Sequence, residues 1–261
     1  MPDLPPPEYD ETVIRFLDTL WGEGFLSPGG PGEVDRVLAG IDLTGKTVLD
    51  VGCGSGGIAV YLATQHGAAR VTGLDVESPV IESARRRAAA KGLTDKVDFV
   101  LASPGPLPFA DASFDMVFSK DAIIHVPDKT AIYAEIFRVL KPGGQFAASD
   151  WLCGSDGALS SAMRAYLDAE GLSFGMASPR KTHDALEAAG FTSVQLTNRN
   201  GWYRVKAREE LAQLQGPLHD ALVQAAGLAV VEKNIRTWKA MLTVLDSGEH
   251  QPTLMRGTKQ P

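Results

Sequence analysis

Thr47-Val48-Leu49-Asp50-Val51-Gly52-Cys53-Gly54-Ser55-Gly56-Gly57 reads as a buried strand that ends on a carboxylate and turns through glycines into a helix. The glycines permit tight turns and let a ligand approach the backbone closely. The helix expected over 56–66 would aim its first N–H groups at whatever the loop cradles. A strand, loop and helix of this kind belong to a parallel α/β sheet, and the following residues repeat the rhythm. Strands are expected at 46–51, 70–75, 97–101, 114–119 and 144–150, with crossover helices at 78–91 and 128–140. Lys141-Pro142-Gly143-Gly144 stops the last of these helices.

Outward from this core the pattern loosens. Prolines at 2, 5, 6 and 7 make residues 1–8 a fraying tail. Val13, Ile14, Leu17 and Leu20 recur at helical spacing, which predicts a helix over 9–21, and the glycines and prolines of 27–32 predict a loop. Beyond Asp150 helices are expected at 157–169 and 181–189, a strand at 192–198, a helical block at 206–246 and a closing strand at 253–259. The organisation expected is one domain over 9–261. It has an N-terminal segment at 9–40, a ligand-binding core at 41–152, a helical cap over the strand ends at 153–250 and a final strand at 251–261.

Acidic residues outnumber basic ones 32 to 25, a net charge of −7 that disfavours the phosphate contacts on which nucleic-acid affinity rests. A small-molecule substrate is expected, with no nucleic-acid partner. No apolar run approaches the roughly 18 residues of a membrane span, so no membrane partner is expected. No basic and apolar leader opens the chain, and Cys53 and Cys153 alone make no disulfide framework; a cytoplasmic location fits. His66, His183, His219 and His250 have no metal-ligand spacing, so no metal is expected.

The ligand of the glycine loop stays open on the glycines alone. Gly52, Gly54 and Gly57 satisfy the G-x-G-x-x-G fingerprint of dinucleotide enzymes. Asp50 offers a carboxylate to a cationic group, and Asp75, ending the second strand, can accept both hydroxyls of a ribose.

Asp50 directly before the loop, the segment Leu107–Ser119 and the turn Val139-Leu140-Lys141-Pro142-Gly143-Gly144 together resemble the class I methyltransferases. The resemblance implies an α/β fold with a Rossmann-like seven-stranded methyltransferase sheet, an N-terminal lid helix and a helical cap inserted before the last strand. It implies S-adenosylmethionine as cofactor and S-adenosylhomocysteine as product. Ser27, Gly29, Asp50, Gly52, Gly54, Gly56, Asp75, Val76, Ser103 and Ser119 are the implied cofactor contacts. Ser103-Pro104 departs from the family, which places an aspartate and then a backbone N–H against the adenine. Serine can still bond the adenine edge, but proline has no N–H.

Tyr9, the Ser27-Pro28-Gly29-Gly30 loop and Ser119-Lys120-Asp121-Ala122-Ile123-Ile124-His125 narrow the resemblance to phosphoethanolamine N-methyltransferases. That likeness implies Tyr9 and His125 as a closing dyad and Asp121 as the amine anchor. Asp121 and His125, four residues apart, are expected on one helical face. By the same likeness, the family's phosphate-binding tyrosine and arginine positions fall on Leu17, Leu172 and Phe174. Arg164, Arg180, Arg199, Arg204 and Lys206 are then the cations left to replace them. Glu170–Ser178 and Ser247-Gly248-Glu249 also resemble glycine, sarcosine and dimethylglycine N-methyltransferases. Phe174, Trp202 and Tyr203 are expected at the acceptor, where aromatic faces attract a cationic product. The activity expected is methyl transfer to the nitrogen of a small amine, ethanolamine-like or glycine-derived. An O- or C-methyltransferase acting on a phenol, quinone or sterol would instead need a broad apolar pocket, and a non-catalytic S-adenosylmethionine-binding protein is the third reading.

Overall fold

A computed structural model describes residues 8–172 and 174–261, so residues 1–7 of the expected tail lie outside the described residues. Its centre is β1 (Thr47–Val51), which runs parallel to β2 (Arg70–Asp75) on one side and to β4 (Phe114–Lys120) on the other. With β3 (Val97–Leu101), β5 (Leu140–Cys153), β6 (Thr192–Asn198) and β7 (His250–Thr258) the sheet has seven strands in the order β3-β2-β1-β4-β5-β7-β6. β7 is antiparallel to both neighbours. Val48, Leu49, Met116, Val117 and Phe118 are solvent-excluded, as a strand covered on both faces requires. The chain leaves β1 toward β2 and β3, then returns to β4 on the other side. Open α/β sheets bind ligands in the crevice at such a switch, beyond the carboxyl ends of the strands.

Helices α3 (Gly57–Gln65), α4 (Ser78–Ala90) and α5 (Lys129–Val139) make the crossovers. The N-terminal segment supplies α1 (Glu11–Trp21) and α2 (Gly30–Val37). The cap supplies α6 (Ser161–Glu170), α7 (Pro179–Ala188), α8 (Asn200–Gln215), α9 (His219–Ala226) and α10 (Leu228–Asp246). An 11-residue helix such as α1 is marginal in isolation. Phe16 and Leu17 hold it by entering the cap's own core with Met163, Tyr166, Tyr203, Trp238 and Met241. Each such burial is worth about 1.5–3 kcal/mol. The expected lid helix is packed into the cap's core in this structure.

Four expectations shift. Tyr9 precedes α1, because the Asp10 carboxylate accepts from Thr12 N (2.8 Å) and Val13 N (2.9 Å) and sets the first turn at Glu11. Residues 30–37, the first three of them read as loop, form α2: Pro31 suits a first helical turn, and Val34 and Val37 are fully buried. β5 begins at Leu140, which pairs with Phe114. The register then slips before Met116 meets Gln145, so the proline and glycines sit in an irregular strand start. The cap's helical block begins at Asn200, which makes Trp202 and Tyr203 helical.

One ion pair ties the N-terminal segment to the cap. Glu33 of α2, 4% exposed, accepts from Arg199 Nε (3.1 Å) and Nη2 (2.9 Å), and the guanidinium also lies 4.7 Å over the Trp202 ring. Removing one partner of a buried pair strands the other charge. Arg199→Ala is expected to lower the unfolding free energy in urea by about 3 kcal/mol. Adding Glu33→Leu should recover more than half of that loss.

Candidate active site

The loop after β1 rests directly on the turn after β4. Gly52 has φ +73°, and a Cβ there would fall 2.1 Å from Ala122 Cβ, so only glycine fits. Gly52 N and Cys53 N both donate to Leu74 O (2.8 and 3.0 Å), which draws the loop toward the end of β2. There Asp75 Oδ2 accepts from Gly54 N (2.9 Å), while Oδ1 accepts from Val76 N (2.7 Å) and Glu77 N (3.1 Å). Burial raises the Asp75 carboxyl above its ordinary range, and these three N–H groups oppose the rise. Gly57 N donates to Gly24 O (3.0 Å), and a Cβ on Gly57 would strike that oxygen. Arg87 of α4 completes the clamp: it donates to Ser55 O and pairs with Asp18 (3.3 Å) and Glu23 (3.5 Å).

A cavity of about 800 Å³ opens over this floor. Ser27, Gly52, Gly54, Asp75, Val76, Ser103 and Pro104 are in its wall, together with Tyr9, Asp121 and His125. Val76 is 51% exposed, an apolar platform beside the Asp75 carboxylate, which suits a nucleoside whose ribose Asp75 could hold. Beneath the floor, both Asp50 carboxylate oxygens are buried without a hydrogen-bond partner among the described residues. Burial first, and Asp75 second, push the Asp50 carboxyl up to about 8. An unpaired carboxyl one residue behind the wall, glycines cleared of Cβ atoms and a ribose-competent aspartate fit S-adenosylmethionine, which carries an ammonium and a ribose.

Four expected cofactor residues are not brought to the cavity wall. Asp50 lies behind Val51 and Gly52, fully buried. Ser119 donates its hydroxyl inward to Val51 O (2.8 Å), which joins β4 to β1. Gly56 caps α3 with φ +83° and packs on Ala84 and Phe99. Gly29 packs on Glu33 and Trp202, and Trp202 itself is absent from the walls because it stacks on Arg199 at the foot of α8.

A second chamber, of about 70 Å³, adjoins the first. Phe174 and Tyr203 line it. Tyr9, Leu26, Ser27, Asp121 and His125 belong to both walls, so the three expected catalytic side chains stand where the cavities meet. Asp121 and His125 do not converge along a helical face. Asp121 has φ +54°, its N–H donates to Ser149 O (2.7 Å), and a short 3-10 turn, Ile123–His125, follows. Aspartate tolerates this left-handed geometry better than most residues. Lys129 fixes the turn from α5, donating to Ile123 O (2.5 Å), Ile124 O (3.3 Å) and Val126 O (2.6 Å). The His125 ring is 5.3 Å from Phe174, and its Nδ1 is 3.9 Å from Glu8. Burial, reinforced by Glu170, raises the Tyr9 hydroxyl well above its ordinary value, so it holds its proton at neutral pH.

Sequence reasoning missed Lys120, whose ammonium pairs with Asp121 Oδ2 (2.6 Å) and donates to Ser27 Oγ (2.9 Å). It also missed Glu170, Trp21, Trp151, Tyr166 and Trp238 in the second chamber. Helical spacing shows a residue to be inward-facing but not which distant helix it meets, so these carried no local signal.

Residues 49–148 match the family model described as a methyltransferase domain. A phosphoethanolamine N-methyltransferase of Triticum aestivum is 30% identical over 97% of this chain and 49% of its own length. The chain thus spans about half the length of the curated relatives it matches in full. A sterol 24-C-methyltransferase of Pneumocystis carinii is 43% identical over 108 residues, 41% of this chain and 28% of that one. Among solved structures, phosphoethanolamine N-methyltransferase 2 of Haemonchus contortus, in complex with phosphomonomethylethanolamine and S-adenosylhomocysteine, superposes with a TM-score of 0.88. It is 24% identical over 97% of this chain and 58% of that chain. Residues 49–148 therefore match a methyltransferase domain, on a sheet that has the fold of that solved structure.

The Asp75 contacts make a direct test. Asp75→Ala removes the acceptor of three loop N–H groups and the candidate ribose ligand. S-adenosylhomocysteine affinity measured by calorimetry should fall about 100-fold, in line with hydrogen bonds to a charged group at roughly 1.5–3 kcal/mol each.

Proposed function

We propose that this chain methylates the nitrogen of a small amine. The observation that carries the reading is the shared wall: Tyr9, Ser27, Asp121 and His125 separate a cofactor-sized cavity from a chamber large enough only for a small group. Methyl transfer needs its nucleophile aligned at that wall, and alignment alone can supply much of the rate. When bound, S-adenosylmethionine supplies an electrophilic methyl on a sulfonium. The side chains do the rest. Asp121, held by Ser149 and Lys120, orients the ammonium. His125, fixed by the Lys129-braced turn, is positioned to take the proton that the nitrogen must lose before it can attack. Tyr9 and Phe174 close over the wall and exclude water.

The sterol C-methyltransferase likeness covers 108 residues, which cannot speak for the cap that forms the acceptor chamber. A chamber of about 70 Å³ with Asp121 in its wall favours a small cation over a sterol ring system.

Radiolabelled S-adenosylmethionine should give N-methyl product from ethanolamine-type amines and none from phenols. Asp121→Asn should lower kcat/KM about 100-fold, the cost of removing a charge-assisted contact. His125→Ala should lower kcat by at least tenfold, within the range for a lost proton acceptor. Turnover within threefold of wild type in both variants, or label found in phenols alone, would remove the assignment.

A further inference from the structure

The second chamber combines aromatic faces with carboxylates. Trp21, Trp151, Tyr166, Phe174, Tyr203 and Trp238 supply its rings, and Asp121 and Glu170 supply its acids. The Trp21 and Trp238 rings lie 6.0 Å apart, and Trp151 and Tyr203 lie 4.7 Å apart. Glu210 locks three of these side chains from behind, accepting from Trp21 Nε1 (2.8 Å), Trp238 Nε1 (3.2 Å) and Tyr203 OH (3.3 Å). A rigid ring of aromatic faces with carboxylates in its wall is the chemistry that holds alkylated ammonium ions.

Nothing in the described wall answers an anion as these groups answer a cation. It contains no arginine or lysine, and its one ring able to become cationic, His125, has Glu8 beside it. Lys120 reaches Asp121 from the cofactor side and belongs to the first cavity. The five cap cations named from the sequence as replacement phosphate ligands are engaged elsewhere. Arg199 serves Glu33, Arg180 serves Asp156 and Asp184, Arg204 serves Asp246, Lys206 serves Glu209, and Arg164 donates to Leu159 O. Leu172 and Phe174, two positions where the resemblance expects phosphate ligands, instead give the wall apolar surface. Asp121 is already paired with Lys120, which leaves Glu170 as the second carboxylate. Lys233 bonds only its backbone oxygen (3.0 Å), and burial pushes its carboxyl up to about 7 despite that lysine.

We infer that the acceptor is a small amine bearing no anionic group, an amino alcohol or alkylamine, and that Glu170 is the side chain that selects it. The inference rests on the N-methyltransferase reading above and narrows it. In the cycle, the ammonium first gives up one proton to His125, which passes it on to solvent. The nitrogen lone pair then forms the N–C bond, and the electrons of the broken C–S bond stay on sulfur as a neutral thioether. The positive charge passes from sulfur to nitrogen as the N–C bond forms, so secondary, tertiary and quaternary products all leave the step as ammonium ions that the rings and Glu170 can hold.

Two measurements on the wild-type chain test this. The protein saturated with S-adenosylhomocysteine is titrated with choline, phosphocholine and glycine betaine, and initial rates are taken with N,N-dimethylethanolamine, phosphoethanolamine and sarcosine. Choline should bind at least tenfold tighter than either anionic analogue. N,N-dimethylethanolamine should exceed both anionic amines at least 100-fold in kcat/KM. Glu170→Gln should raise KM for N,N-dimethylethanolamine about tenfold with kcat within threefold, and Glu170→Asp should restore part of the loss. Phosphoethanolamine or sarcosine turning over within threefold of N,N-dimethylethanolamine would overturn the inference and leave N-methylation standing. S-adenosylhomocysteine binding with no choline binding would overturn the inference alone, and label in phenols only would overturn both readings. A Glu170→Gln chain that fails to fold leaves the wild-type comparison to decide.

Discussion

The absence of a side chain at Gly52 is the constraint on which the site depends. Because this residue can sit against Ala122, the glycine loop after β1 and the turn after β4, which we propose hold cofactor and acceptor, share one floor. Strand pairing then fixes the rest: Val51 lies opposite Ser119, whose hydroxyl bonds back to the Val51 carbonyl. Any Cβ at residue 52 would push the two loops apart. The distance between methyl donor and acceptor would grow with it, and misplacement of about 1 Å is enough to cost a large factor in rate.

Around that floor the chain places charge asymmetrically. Burial holds the carboxyls of Asp50, Asp75, Asp150, Glu170 and Glu210 above their ordinary range, and Asp121 stands in the wall of both cavities. Burying so many acids is costly without cations to answer them. The folded chain answers them sparingly: Lys120 pairs with Asp121, while Lys129, Lys233 and Lys206 act from farther away on Asp150, Glu170 and Glu210. Two positive groups, a sulfonium with its amino acid ammonium and a substrate amine, would complete this balance. The stability lost to unpaired carboxyls is then recovered on binding.

The sheet was legible in the sequence because buried parallel strands are short apolar runs between glycine-marked turns. β2, β3 and β6 fall on their expected residues. The helix α2 was hidden by its own start, since glycines and Pro31 read as a loop when proline belongs equally to a first helical turn. Of the candidate site, Tyr9, Asp121 and His125 come together in the walls of both cavities, the last two through a left-handed turn that the i, i+4 spacing did not foresee. The aromatic chamber was illegible beyond Phe174 and Tyr203. Its walls come from α1, β5, α6, α8 and α10, and no local pattern states which of their inward faces will meet.

The central claim is that the two cavities exchange a methyl group across Tyr9, Asp121 and His125. A crystal structure of the S-adenosylhomocysteine complex soaked with choline tests it most directly. The account predicts the cofactor's sulfur at that wall and choline on its far side, with one N-methyl carbon in line between nitrogen and sulfur at near-attack range, roughly 3–3.5 Å from the sulfur. A sulfur facing away from Asp121, or choline bound outside the aromatic chamber, would contradict it.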